Sequence, residues 1–220
     1  MMNYDNFDAI LFDMDGTIFD SETVHRQAWK ITAKQYDQEF TDEMYLNFIG
    51  MTTPSCMEVA GTWFNSSNGT KNTVDMQLFS ESYYQNLHEL HQQAVPLKAG
   101  FLEYLRFLKT LNKPLGIVTS SARPGVTANF MHYDFYDAFN VVISRDEVSQ
   151  YKPHPAPYLL ACEKLQVDPQ RALVFEDSNA GATAALDAGC YVIGIPDLVA
   201  FNDEVKSRLY KELGSFGELL

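Results

Sequence analysis

The sequence has no long apolar run: stretches such as Val141-Val142-Ile143 fall far short of the roughly 18 residues a membrane-spanning helix needs. It is also poor in positive charge. Sixteen Lys and Arg stand against 29 Asp and Glu, giving a net charge of −13 with no Lys/Arg-rich segment, which argues against nucleic acid or an anionic membrane as a partner. Cysteine is scarce. Three scattered residues, Cys56, Cys162 and Cys190, make neither a disulfide framework nor a zinc site. Met1-Met2-Asn3-Tyr4-Asp5 has neither the basic nor the apolar region of a secretory signal. The expectation is a soluble cytoplasmic protein with reduced thiols. What is present is a hydrophobic fraction of 46% over 220 residues, enough for one large or two small domains.

Five short apolar segments recur: Asp8-Phe12, Leu115-Val118, Asn140-Ile143, Ala172-Phe175 and Tyr191-Ile195. They lack polar alternation, the pattern of strands buried on both faces of a parallel sheet. Helix-period stretches lie between them. Phe101, Leu105, Leu108 and Leu111 form one stripe, Val126 and Phe130 another begun by Pro124, and Ala180, Ala184, Ala185 and Ala188 a small-residue face ended by Gly189. Strand and helix in alternation predict an α/β fold, a doubly wound parallel sheet with right-handed crossovers.

One connection breaks this rhythm, since roughly a hundred residues separate the first two strands. Residues 17–97 have no strand pattern and predict a small helical domain, leaving 1–16 and 98–220 as the α/β core. Asp20 or Ser21 caps a first helix in which Val24, Ala28 and Ile31 share one face and His25 and Trp29 a neighbouring one. Asn65-Ser66-Ser67-Asn68-Gly69 predicts a turn between helices.

Four polar clusters stand at the ends of four different strands. The first strand runs into Asp13-Met14-Asp15-Gly16-Thr17; alone, this is also the sequence of a capped turn with Gly16 at positive φ. The second ends in Thr119-Ser120-Ser121, hydroxyls before a helix whose free N–H groups favour an anion. After the third comes Lys152, fixed beside Pro153 and Pro155, and the fourth ends in Glu176-Asp177. In an open parallel sheet ligands bind beyond these carboxyl ends, so the clusters converge on one point. So many carboxylates repel one another unless a cation resolves the charge. Mg²⁺ suits them, with Asp13, Asp177, Glu176 and a backbone carbonyl at Asp15 as oxygen ligands. Phosphoryl transfer follows: Asp13 as nucleophile, Asp15 as acid and base, Thr119 or Ser120 with Lys152 on the equatorial oxygens.

These motifs resemble those of the haloacid dehalogenase superfamily of phosphotransferases, in order and spacing over essentially the whole chain. Phe12-Asp13-Met14-Asp15-Gly16-Thr17-Ile18-Phe19-Asp20-Ser21-Glu22, followed by His25-Arg26-Gln27-Ala28-Trp29, is similar to the β-phosphoglucomutase and fructose-1-phosphate phosphatase branch. The resemblance implies a C1-type helical cap after the first motif, a nucleophile at Asp13, an acid/base at Asp15, metal ligands at Asp13, Glu176 and Asp177, a phosphate-binding lysine at Lys152 and a cap histidine at His25. The second-motif hydroxyl is Thr119 or Ser120.

Asp15 favours phosphate-ester chemistry over dehalogenation. The mutase branch carries an arginine after a cap glycine, whereas Gly50 here precedes Met51-Thr52-Thr53-Pro54, which favours a monophosphate substrate and hydrolysis. Two readings stand for His25 and Trp29, one as packing residues and one as groups over the pocket, His25 assisting Asp15 and Trp29 lying against a sugar face. Arg123 either touches substrate from the core side or serves the surface. The expectation is a Mg²⁺-dependent phosphatase of sugar phosphates, working as a monomer or homodimer. Its rivals are a phosphohexomutase and, more remotely, a non-catalytic phosphoacceptor domain.

Overall fold

The computed structural model describes residues 2–49, 51–65 and 73–220. Gly50 and positions 66–69 of the expected turn lie outside the described residues. The chain divides into two compact units, Met1–Ser21 with Ala94–Leu220, and Glu22–Gln93. In chain order the elements are β1 (Ala9–Phe12), α1 (Ser21–Gln35), α2 (Asp42–Leu46), α3 (Thr53–Phe64), α4 (Met76–Leu90), α5 (Phe101–Thr110), β2 (Leu115–Val118), α6 (Arg123–Phe130), β3 (Val141–Ile143), α7 (Ala156–Leu165), β4 (Ala172–Glu176), α8 (Asn179–Asp187), β5 (Tyr191–Gly194), α9 (Asp203–Arg208) and β6 (Lys211–Glu212), with short 3₁₀ turns between several of them.

The first unit is the α/β sheet. Among the described residues its six strands run in the order β3-β2-β1-β4-β5-β6, every neighbouring pair parallel. Five strands match the apolar segments, and all four residues of β1 are buried. The two faces have different chemistry. Phe12 and Phe175 stack at 5.1 Å on one face, with Phe101, Tyr104 and Phe216 against them. Leu11, Val118, Val174 and Val192 meet Tyr158, Ala161, Cys162 and the alanines of α8 on the other. On α8 the buried face is Gly181, Ala182, Ala184 and Ala185, while Ala180 is exposed. The small-residue stripe is therefore shifted from the one expected, and Gly181 belongs to it. Gly189 follows α8 at φ 92°, the left-handed geometry of a helix stop.

The register places the site. Phe12 stands opposite Ile117 and Phe175, so the residues after β1, β2 and β4 leave the sheet at one level. Strand order reverses direction at β1 and β4, the position at which open α/β sheets bind ligands. Thr17–Asp20 and the segment around Leu97 stay with the sheet unit, because Asp20 N donates to Pro96 O and Lys98 N to Ile18 O. The unit borders thus fall inside the 17–97 span expected for the insertion.

The second unit contains α1–α4. Thr41, Thr52 and Asp75 cap α2, α3 and α4 by accepting hydrogen bonds from backbone N–H groups in the first turn, and Pro54 opens α3. Its core is aromatic, built on Trp29, Phe40, Phe48, Phe64, Phe79 and Tyr83. All three cysteines are free and buried. No helix among the described residues is long and apolar enough to cross a membrane.

Candidate active site

Asp13 follows β1 directly, its N–H donating to Phe175 O, which fixes its backbone as a continuation of the ladder. Glu176 ends β4 and Asp177 follows it. Carboxylate oxygens of Asp13, Glu176 and Asp177 lie within 4.8 Å of one another. Lys152 reaches this group from beyond β3, its Nζ donating to Asp13 Oδ1 at 2.6 Å, Glu176 Oε1 at 2.6 Å and Val118 O at 2.8 Å. The ammonium also sits 5.0 Å from the centre of the Tyr158 ring.

Glu176 is fully buried and held on both oxygens. Tyr158 Oη donates to Oε1 at 2.7 Å, while Ser178 Oγ donates to Oε2 at 3.1 Å and the amides of Asp177 and Ser178 at 3.2 and 3.3 Å. Two glycines make room for the acids. A Cβ on Gly181 would lie 1.8 Å from Glu176 Oε1, and one on Gly16, at φ 85°, would lie 2.3 Å from Asp177 Oδ2. Thr17 Oγ1 donates to Asp177 Oδ1 at 3.4 Å.

Asp15 faces a second set of groups. Its Oδ2 accepts from Ser121 Oγ at 2.6 Å and Thr119 Oγ1 at 3.2 Å, and its Oδ1 accepts from Asn129 Nδ2 at 3.0 Å. Thr119 is buried at the end of β2, and Ser120 beside it is exposed. The structure thus brings Asp13, Asp15, Thr119, Ser121, Lys152, Glu176 and Asp177 together at the carboxyl edge of the sheet.

Arg123, Trp29 and His25 have contacts of their own. Arg123 pairs with Glu147 and reaches Val142 O at 3.4 Å, while its backbone N–H donates to Asp146, so it fastens the first turn of α6 to the segment after β3. Trp29 is 2% exposed and surrounded by Phe40, Phe48, Phe79 and Tyr83 at 4.7 to 5.6 Å. A ring enclosed in this way has no face to offer a sugar, and Trp29 is a packing residue. His25 is half-buried, its Nδ1 2.7 Å from Tyr83 Oη. Sequence reasoning missed Asn129 and Tyr158, which occupy positions that read as ordinary buried helix faces; Thr17 and Ser178 stand in the strand-end segments but carried no role of their own until these contacts placed them.

The electrostatics follow from one lysine among three carboxylates in a dry setting. Burial is the largest influence on Asp13 and raises its carboxyl well above the ordinary range; Lys152 opposes this, and Glu176 and Asp15 add to it. Asp177 is raised by burial and then by Asp13 and Glu176. Burial works against the charge on Lys152, but Asp13 and Glu176 outweigh it and hold the ammonium protonated. Asp13 Oδ2 is buried with no hydrogen-bond partner. An orphaned oxygen and three hard carboxylates carrying excess negative charge fit a divalent cation with oxygen preference.

Comparison with known proteins bears on the fold and the family. A family model described as haloacid dehalogenase-like hydrolase matches residues 10–195. Validoxylamine A 7'-phosphate phosphatase of Streptomyces hygroscopicus subsp. limoneus is 31% identical over 189 residues, 86% of this chain and 85% of its own. A phosphorylated carbohydrates phosphatase of Thermotoga maritima is 26% identical over 182 residues, 83% of this chain and 82% of its own. Among solved structures, a CbbY variant of Rhodobacter sphaeroides in complex with xylulose-(1,5)bisphosphate superposes with a TM-score of 0.74 at 26% identity, covering 97% of this chain and 96% of that one.

Proposed function

Because the chain belongs to the haloacid dehalogenase-like hydrolases, we propose that it is a magnesium-dependent phosphatase of small phosphorylated metabolites, sugar monophosphates foremost. The observation that carries this reading is the state of Asp13. One of its oxygens is pinned by Lys152 and the other is buried without a partner, at the switch point of the sheet. A carboxylate held by one oxygen, with the other left without a hydrogen-bond partner, is an oriented nucleophile. A phosphorylated carbohydrates phosphatase among the relatives supports the substrate class.

Asp13, Glu176 and Asp177 would hold Mg²⁺, which supplies the positive charge that lets a carboxylate approach an anionic phosphate. The remaining chemistry belongs to the side chains. Asp13 attacks phosphorus, the ester P–O bond breaks as the Asp13 O–P bond forms, and the leaving oxygen takes a proton from Asp15. Asp15 then takes a proton from water as that water attacks the aspartyl-phosphate, releasing phosphate and restoring Asp13. Lys152 stays charged throughout and offsets negative charge developing beside Asp13. Thr119, buried against Asp15, serves as the second-motif hydroxyl in preference to exposed Ser120.

The test is phosphate release with Mg²⁺ across a panel of hexose, pentose and bisphosphate esters, with isomer formation followed in parallel. Net phosphate release without a bisphosphate requirement supports hydrolysis. Isomerisation without net release would establish the mutase instead.

A further inference from the structure

Asp15 is held by three side chains, and only two of them come from the strand end that carries the second motif. The third, Asn129, lies in α6, on the same buried side as Val126 and Phe130. It is 3% exposed, a depth at which a carboxamide is costly unless its groups are used. Its Nδ2 donates to Asp15 Oδ1 at 3.0 Å, whereas Thr119 and Ser121 both donate to Oδ2. Its own Oδ1 is buried without a partner.

We propose that Asn129 is a positioning residue for Asp15, holding the carboxyl in the orientation from which it passes a proton to the leaving oxygen. The inference rests on the acid–base reading of Asp15 given above. Two donors on one oxygen leave a carboxyl free to turn about that attachment; a donor on the other oxygen fixes the plane. Among the described residues, Asn129 is the side chain that supplies that second point.

The experiment compares kcat/KM for phenyl phosphate and 2,4-dinitrophenyl phosphate, with Mg²⁺, on the full chain and on Asn129→Leu, Asn129→Ala and Asp15→Asn. Phenolate needs a proton as it leaves, and dinitrophenolate does not. General acid catalysis is worth about 10²–10⁴-fold, so misplacing the acid should lower kcat/KM for phenyl phosphate by about tenfold or more. Loss on dinitrophenyl phosphate should stay within about threefold, the acid being idle there. Both substrates are read on one preparation, so any unfolded fraction cancels in their ratio, and the alanine variant serves where leucine does not fold. A shifted ratio in Asn129→Leu or Asn129→Ala, in the same direction as in Asp15→Asn, supports the inference. An unshifted ratio in the Asn129 variants with a shifted one in Asp15→Asn overturns the inference alone. An unshifted ratio in Asp15→Asn overturns the acid–base reading itself, and the role of Asn129 with it.

Discussion

Lys152 and Glu176 form an ion pair of 2.6 Å with water excluded from both ends, the lysine side chain 5% exposed and the glutamate side chain 0%. The same ammonium holds Asp13. Breaking a buried pair by removing one partner costs about 3–5 kcal/mol, because the other charge is left uncompensated. Lys152→Met is therefore expected to destabilise the protein on that scale and to abolish phosphate release. Urea denaturation checks the first outcome; a change within about 0.5 kcal/mol would mean the pair is not structurally important.

Gly181 is required by the carboxylate beside it. The methyl of Gly181→Ala would stand 1.8 Å from Glu176 Oε1, and that oxygen is tied to Lys152 and Tyr158 and has no room to retreat. Overpacking of this kind costs about 1–3 kcal/mol. Gly125→Ala is the control, since its nearest neighbour is an ordinary 3.5 Å contact. Thermal melts of the two variants should separate clearly, and equal melts would refute the steric account.

The metal-free protein should lose stability as pH rises through the carboxylate range. Burial, above all, raises Asp13 and Asp177 over their ordinary value of 3.8. The folded chain therefore binds these protons more tightly than the unfolded chain. Between 3.8 and the raised values it carries the excess of protons, and stability falls with increasing pH. A divalent cation competes with those protons, so Mg²⁺ should raise Tm more at about pH 7.5 than at about pH 5. Calorimetry with and without Mg²⁺ decides the matter; a pH-independent increment would contradict it.

Trp29 holds the helical unit together. Removing a buried aromatic of this size costs about 3–5 kcal/mol, so Trp29→Ala should lower Tm sharply, whereas Trp29→Phe keeps much of the packing. The KM of Trp29→Phe for its best substrate should equal that of the parent. A KM raised severalfold in a normally folded Trp29→Phe would restore a substrate role.

The sheet was legible because strands buried on both faces leave unbroken apolar runs, and the ends of four of them carry the polar clusters. Strand β6 was not legible. It is two exposed residues at the sheet edge, Lys211 and Glu212, with no apolar signal to give. Glu176 proved to be the last residue of β4 itself, a carboxylate in a strand made tolerable by Tyr158, Lys152, the Ser178 hydroxyl and the amides of Asp177 and Ser178. Tyr158 and Lys152 come from other elements, and so does Asn129, which meets Asp15 across 114 positions of sequence. Side chains that serve a site from a distance look like core residues until the fold places them. Trp29 is the converse: its one-turn spacing from His25 suggested a shared face, and tertiary packing turned the ring inward.

In the proposed mechanism the phosphoryl group passes through Asp13. Rapid acid quenching of the enzyme with Mg²⁺ and an aryl phosphate, followed by peptide mass spectrometry, measures this directly. One phosphoryl group is expected on the peptide containing Asp13, and neither adduct nor phosphate release in Asp13→Asn. Phosphate release undiminished in Asp13→Asn would contradict it.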